Sequence, residues 1–269
     1  MRATDFAYLS TPTPLALAHR GGAAYGPNVG LENTLAAFRR AVDMGYRYLE
    51  TDVHATRDGH VVAFHDSVLD RVSDVTGEVA GLALDAVRGA RIGGTEPVPL
   101  LAELFEEFPD TFVNIDIKAD GALGPTIREI QRHRATERVC IGSFSERRLR
   151  AARAALGPGV ATAAGQVGTA LLRFTPGVLS RLLHTPAPVL QVPALHRVRG
   201  RTVTLVTPGL VRRAHALGKH VHVWFHAWSR EDAPEMHRLL DLGVDGIVTD
   251  HIDVLRDVLA ERGHPLTPR

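Results

Sequence analysis

Residues 48–66 read YLETDVHATRDGHVVAFHD, and the fold is decided by how this stretch is taken. Glu50, Asp52 and His54 alternate with Leu49, Thr51 and Val53, so a strand here puts the three polar groups on one face. Asp58-Gly59 is a hairpin signal, after which residues 61–64 form a second apolar strand that returns His65-Asp66 to the end of the first. Two carboxylates with a histidine turned back beside them are the makings of a metal site with an acid or base next to it. The competing reading is an edge hairpin whose polar face meets water.

Working outward, residues 15–18 are a short apolar run that stops at His19-Arg20-Gly21-Gly22, a loop suited to bringing backbone close to a ligand. Glu32-Asn33-Thr34 leads into an amphipathic helix, with Asn33 or Thr34 as cap and Gly45 as terminator. Beyond the hairpin, residues 67–99 mix turn signals with short apolar pieces and are read as an insertion over one end of the domain. A regular alternation follows. Strands are expected at 111–118, 138–144, 160–164, 188–192, 220–226 and 246–249. Helices are expected at 100–108, 126–134, 145–156, 171–183 (broken at Pro176-Gly177), 207–217, 229–242 and 253–262. About eight strand-then-helix units in 269 residues predict a single α/β domain over 1–269. That domain is a TIM (β/α)8 barrel with a small inserted subdomain, about 67–99, after the second strand. An open doubly wound sheet is the second architecture, disfavoured because no G-x-G-x-x-G turn follows the first strand.

Composition narrows the function classes. Hydrophobic content of 45% suits a soluble globular chain, and a net charge of +1 without a long basic tract points to neither nucleic acid nor an anionic membrane. The single cysteine, Cys140, lies in an apolar run and reads as a small buried hydrophobe. The N-terminus lacks a secretory pattern and no stretch approaches a membrane span. The expectation is a cytoplasmic protein without stable membrane insertion.

In a barrel the chemistry gathers at the carboxyl ends of the strands. Those ends offer His19 and Arg20, Glu50 and Asp52, His65, Asp116 and Lys118, Gln191, Trp224 and His226, and Thr249-Asp250. Asp116 and Lys118 alternate in Asn114-Ile115-Asp116-Ile117-Lys118, so both side chains point inward together. Three carboxylates without a thiolate favour a hard divalent cation, Mg²⁺ or Ca²⁺, over zinc.

The ordered set His19-Arg20-Gly21-Gly22, Glu32-Asn33-Thr34-Leu35, Leu49-Glu50-Thr51-Asp52-Val53, His65-Asp66, Asn114 to Lys118 and Gly243 to Asp250 resembles the glycerophosphodiester phosphodiesterase family across nearly the whole chain. The resemblance implies a TIM barrel that cleaves glycerophosphodiesters to an alcohol and sn-glycerol 3-phosphate, using a divalent metal and two histidines. Carried over, His19 and His65 are the acid/base pair, Arg20 holds phosphate, and Glu50, Asp52 and Asp116 bind metal. Glu32 and Asn33 lie near the site, and the 67–99 segment shapes the substrate pocket. Lys118 is read as a further clamp on phosphate or on a metal ligand, with an ion pair to Asp116 as the other possibility. Trp224 either lines the glycerol pocket or packs.

Two departures from the family pattern stand out. Asp116 occupies a position usually held by glutamate, and Trp224-Phe225-His226-Ala227 replaces the usual Trp-Thr-Val-Asn. Head-group preference, the native metal, the roles of the two histidines and the oligomeric state stay open at this stage. Two other functions are kept in view: a lysophospholipase D-like phosphodiesterase, and a phosphate-binding barrel that has lost catalysis. The lipid reading needs an apolar landing surface, and the sequence presents no obvious exposed aromatic cluster.

Overall fold

A computed structural model describes residues 1–175, 185–198 and 200–267. In chain order the first half runs β1 (Leu15–His19), α1 (Leu35–Asp43), β2 (Tyr48–Ala55), β3 (Val61–Ala63), α2 (Leu84–Gly89), β4 (Arg91–Ile92), β5 (Glu96–Pro97), α3 (Leu101–Glu107), β6 (Phe112–Ile117) and α4 (Asp120–Arg132). There follow β7 (Val139–Gly142), α5 (Glu146–Leu156), β8 (Ala161–Thr162), α6 (Gln166–Phe174), β9 (Val189–Pro193), β10 (Leu195–Val198) and β11 (Arg201–Thr204). The chain ends with α7 (Pro208–Ala216), β12 (His220–Trp224), α8 (Ala233–Asp241), β13 (Gly246–Thr249) and α9 (Ile252–Glu261).

Eight of these strands form a parallel ring in the order β8-β7-β6-β2-β1-β13-β12-β9. The ring closes through a parallel bridge between Ala163 and Val189, where Ala164 N donates to Val189 O at 2.8 Å. The fold is therefore a TIM barrel. One set of strand side chains, Leu49, Val53, Val113, Ile115, Val139, Leu190 and Val223 among them, packs outward against the helices in the main apolar cluster. The alternate set points inward, and near the amino ends of the strands it includes Leu15, Leu17, Tyr48, Cys140, Val189 and Val248. Ala3, Phe6, Tyr8 and Leu9 join this inner cluster, so the N-terminal segment plugs the floor of the barrel. Tyr48 Oη donates to Tyr8 O at 2.8 Å and fixes that plug. With the floor closed, polar inward residues collect at the opposite end.

The hairpin appears as read: β3 pairs antiparallel with β2, with Val53 opposite Ala63. Residues 67–99 carry their own apolar cluster of Leu69, Val79, Val87, Ala90, Ile92 and Val98, which also takes Val62 and Phe64 from the hairpin side. Caps fall where the sequence puts them. Thr34 accepts from Ala37 N, Ser145 from Arg148 N and Thr207 from Leu210 N, at 3.2, 3.3 and 3.3 Å.

Some boundaries differ. α4 starts at Asp120 rather than 126, because Ala122, Thr126 and Ile130 bury one face at a spacing of four, and Pro125 is carried within the helix. α6 starts at Gln166, five residues early; the part of the expected 171–183 helix beyond residue 175 lies outside the described residues. α8 is capped by Asp232, which accepts from Glu235 N at 3.1 Å, while Ser229 instead donates to His226 O and closes a turn. The β10–β11 hairpin was not expected from the sequence, although basic and β-branched residues alternate there around Gly200, which has φ +78°.

One barrel position makes a specific demand on sequence. His222 is fully buried on the inward face of β12, beside Gly246 in β13. A Cβ on Gly246 would lie 2.9 Å from His222 Cδ2. Gly246→Ala is expected to cost about 1–3 kcal/mol, the usual scale of overpacking, seen as a lowered melting temperature. In a His222→Val background the added loss should shrink; strictly additive losses would show that His222 is not the obstacle.

Candidate active site

At the carboxyl end of β1 the chain turns sharply. Arg20, Gly21 and Gly22 take φ values of 50°, 85° and 88°. A Cβ on Gly21 would meet Ala37 of α1 at 2.9 Å, and one on Gly22 would meet Ile252 of α9 at 2.7 Å. Only glycine lets this loop lie so close to both helices, and the turn presents His19 and Arg20 to the barrel mouth. His19 Nδ1 pairs with Asp250 Oδ1 at 2.9 Å, and its Nε2 lies 3.8 Å from Glu50 Oε2. Burial alone would lower its pKa, but Asp250, followed by Glu50, outweighs that and holds it up at about 9. Asp250, offered by the end of the last strand, is thus the partner of His19.

Glu50 and Asp52 are 5% and 2% exposed on the inward face of β2, as the alternation requires. Asp116 of β6 stands directly opposite Asp52 in register. Lys118 Nζ lies 2.8 Å from Asp52 Oδ1 and donates to Asp116 Oδ2 at 2.8 Å, so the ion pair to Asp116 is formed and extends to Asp52. Arg20 Nε lies 3.1 Å from Asp52 Oδ2, and Asn33 Nδ2 donates to the same oxygen at 3.3 Å. Thr51 Oγ1 in turn donates to Asn33 Oδ1 at 2.8 Å and orients the amide. Burial pushes the Asp52 carboxyl up, yet Lys118 and then Arg20 hold it at about 2. Glu50 is pushed up to about 7, by burial first and by Asp52 second. Among the described residues no three His, Cys, Asp or Glu side chains converge closely enough to hold a metal ion. Asp116 Oδ1 is nevertheless buried without a partner there.

The hairpin delivers the second histidine. His54 Nε2 lies 3.1 Å from the carbonyl oxygen of His65 and holds the returning chain. His65 Nδ1 pairs with Asp66 Oδ1 at 2.5 Å. The His65 pKa is lowered by burial, which outweighs the pull of Asp52. Arg71, which the sequence did not single out, donates to Asp66 Oδ2 at 2.5 Å and to both oxygens of Glu32 at 2.7 Å. Glu32 Oε1 also accepts from Arg20 Nη1 at 3.3 Å. Glu32 and Asn33 thus sit against Arg20 and Asp52.

Trp224 ends β12 half-buried, edge-on to His226 with ring centroids 4.5 Å apart. His226 stacks on Trp228 at 5.1 Å, and the Arg197 guanidinium lies 4.3 Å above the Trp228 ring. His226 Nε2 is buried without a partner among the described residues. Gln191 Nε2 donates to Asn114 Oδ1 at 2.8 Å, closing the barrel interior below the carboxylates. Glu231 accepts from Thr249 Oγ1 and Asp250 N at 2.6 and 2.7 Å, and so fixes the residue that holds His19.

Residues 19–254 match the Glycerophosphoryl diester phosphodiesterase family. The chain is 42% identical over 254 residues to the probable glycerophosphodiester phosphodiesterase 2 of Mycobacterium tuberculosis, covering 93% of this chain and 92% of that protein. It is 30% identical over 283 residues to human lysophospholipase D GDPD1, covering 90% and 85%. Its fold matches that of a phosphodiesterase from Oleispira antarctica solved with the product sn-glycerol-3-phosphate, at TM-score 0.72 and 22% identity, over 92% and 97% of the two chains. With a family match over residues 19–254 and a relative 42% identical over nearly its whole length, the chain belongs to the glycerophosphoryl diester phosphodiesterase family.

Proposed function

We propose that the protein hydrolyses glycerophosphodiesters to an alcohol and sn-glycerol 3-phosphate by two-histidine acid/base catalysis, assisted by a divalent cation. The observation that carries this reading is the unequal pairing of the two histidines. His19 is held by Asp250, and its environment keeps it charged. His65 is oriented by Asp66, whose charge is shared with Arg71, and burial lowers its pKa, which favours the neutral ring. Titratable groups whose pKa values are driven apart divide into acid and base.

The donor chemistry is that of a hard cation's site, although Lys118 pairs with both Asp52 and Asp116 in this structure and the three carboxylates do not converge on one point. Glu50, Asp52 and Asp116 supply only oxygen, Asp116 Oδ1 lacks a partner, and Glu50 is driven toward protonation by burial beside Asp52. When bound, a divalent ion neutralises charge on the non-bridging phosphate oxygens. Arg20 contributes the same neutralisation from a planar fork, and Lys118 balances the carboxylates beneath. In the first step His65 takes the proton of the substrate's own glycerol 2-hydroxyl as its oxygen attacks phosphorus. His19 gives a proton to the departing alkoxide. In the second step the roles reverse: the now neutral His19 draws a proton from water, which opens the cyclic phosphate, and His65 returns its proton to the 2-oxygen.

A second substrate class has a specific observation behind it. Val29, Phe144 and Trp228, in loops at the carboxyl ends of β1, β7 and β12, are 67%, 59% and 39% exposed. These exposed apolar residues lie in loops on the side of the barrel that carries the site, which favours a lysolipid whose chain lies against those loops. Among the described residues no helix is long and apolar enough to cross a membrane.

The test is release of glycerol 3-phosphate from glycerophosphocholine, with lysophosphatidylcholine assayed for choline release alongside. Mg²⁺ or Ca²⁺ is supplied, and EDTA is then added. Release that falls at least about tenfold on chelation is expected. Turnover unchanged by EDTA would remove the cation, and faster cleavage of the lysolipid would make the second class the main one.

A further inference from the structure

We propose that Arg71, from the 67–99 segment, is a positioning residue that braces Arg20 and His65 together. The inference rests on the phosphodiesterase reading above. All three guanidinium nitrogens are engaged: Nε with Asp66 Oδ2 at 2.5 Å, Nη1 with Glu32 Oε2 at 2.7 Å and Nη2 with Glu32 Oε1 at 2.7 Å. A side chain so occupied has little left for substrate. It acts instead through the two carboxylates, each of which has a second partner in the machinery. Glu32 Oε1 also takes Arg20 Nη1 at 3.3 Å, and Asp66 Oδ1 takes His65 Nδ1 at 2.5 Å.

Each of these links has a consequence. With Arg71 satisfying both oxygens of Glu32, Arg20 is held by that carboxylate only at the longer distance of 3.3 Å, which leaves its guanidinium less committed and more able to take phosphate. Without Arg71, Glu32 would turn its full charge on Arg20 and compete with the substrate. With Arg71 sharing Asp66, the carboxylate fixes the ring orientation of His65 and leaves its Nε2 for the reacting proton; without it, Asp66 is free to swing and the ring with it. Only a planar guanidinium can serve a bidentate carboxylate and a second carboxylate at once, so lysine is no substitute.

Arg71 is not what attaches the segment. Val62 bridges to Leu100, Ala63 N donates to Pro99 O at 2.9 Å, Arg57 N donates to Leu82 O at 2.8 Å, and the cluster around Leu69, Val79 and Ile92 is fully buried. The Arg71 side chain itself is 47% exposed, so its loss opens no core cavity and leaves the two carboxylates reachable from solvent.

The experiment compares the parent with Arg71→Ala in glycerol 3-phosphate release, with and without millimolar guanidinium ion. Arg71→Ala is expected to lose roughly 30- to 100-fold in kcat, the scale set by losing a group that orients catalytic side chains. KM should rise as Glu32 competes with the phosphate for Arg20, but by a smaller factor than kcat falls. Added guanidinium should restore at least about tenfold of the lost rate, and Arg71→Lys should recover little. A merely structural residue would not be replaced by a free ion. If Arg71→Ala does not fold, Arg71→Gln keeps the stem and is expected to lose at least about tenfold. Retention of kcat, a loss that guanidinium does not restore, or full activity in Arg71→Lys overturns the brace while leaving the function standing. A parent that releases no glycerol 3-phosphate overturns both.

Discussion

His19→Ala and His65→Ala are each expected to lower kcat by about 10²–10⁴, the range attached to a positioned general acid or base. The two variants should differ in a way that reports their roles. A nitrophenolate leaving group needs no proton, so a glycerophosphodiester of nitrophenol bypasses the acid of the first step but not the base. In the first-step release of nitrophenolate, before the cyclic phosphate must be opened, His19→Ala should therefore recover much of its loss on that substrate, and His65→Ala should not. The reverse pattern would exchange the assignments. The physical reason for the split lies in the partners: Asp250 is paired to His19 at 2.9 Å, whereas Asp66 divides its two oxygens between His65 and Arg71. Both variants must keep their fold for the comparison to count. Neither ring belongs to the main apolar clusters, and circular dichroism with a melting curve checks it. Activity retained in both would remove the two-histidine mechanism altogether.

The strands that build the barrel were readable because their inward and outward sets differ in kind. Glu50-Thr51-Asp52-Val53-His54 and Asn114 to Lys118 alternate strictly, and the structure puts Asp52 opposite Asp116 as that alternation implies. Residues that act through a second residue were not readable in the same way. Asp250 follows a strand that could equally end in a capping aspartate, and only the closure of β13 onto β1 brings it to His19. Arg71 lies 39 positions from Glu32 in a segment without clear periodicity, so nothing local ties the two. Glu231 fell inside the helix expected over 229–242, but the helix starts only at Ala233 and the preceding loop turns Glu231 back to Thr249. A signal did exist in Glu32-Asn33-Thr34, where Thr34 caps α1 and Asn33 takes the left-handed region at φ 57°, aiming its amide at Asp52. The exposed Val29, Phe144 and Trp228 escaped notice because each is isolated in sequence, in a loop that only the fold assigns to the carboxyl end of a strand.

The stability of the protein is expected to fall steeply in mild acid because of a residue that takes no part in the chemistry. His222 sits in the barrel interior with neither ring nitrogen partnered among the described residues, and burial, reinforced by His220, lowers its pKa from 6.5 to about 3. A histidine whose folded pKa is depressed is neutral in the native state over a range where the unfolded chain binds a proton. Its contribution is therefore intact above pH 6.5 and is lost as the pH falls toward 3. The slope is about 1.4 kcal/mol per pH unit, so roughly 3 kcal/mol disappears between pH 6.5 and 4. Carboxylates held low, such as Asp52, add to acid lability in the same direction but mostly below pH 4. His222→Leu removes the titrating ring while keeping an apolar side chain of similar size. The difference in unfolding free energy between the variant and the parent should thus move in the variant's favour by about 3 kcal/mol on going from pH 7 to 4, measured by urea melts at each pH. A difference that does not change with pH would mean that His222 finds a proton partner inside the barrel. The same ring stands against Gly246, one layer below the carboxyl ends of β9 and β12, so the barrel holds a neutral imidazole directly beneath its charged mouth. Such a ring is tolerated because the surrounding packing is set by its shape, and acid is the condition under which its chemistry outweighs its shape.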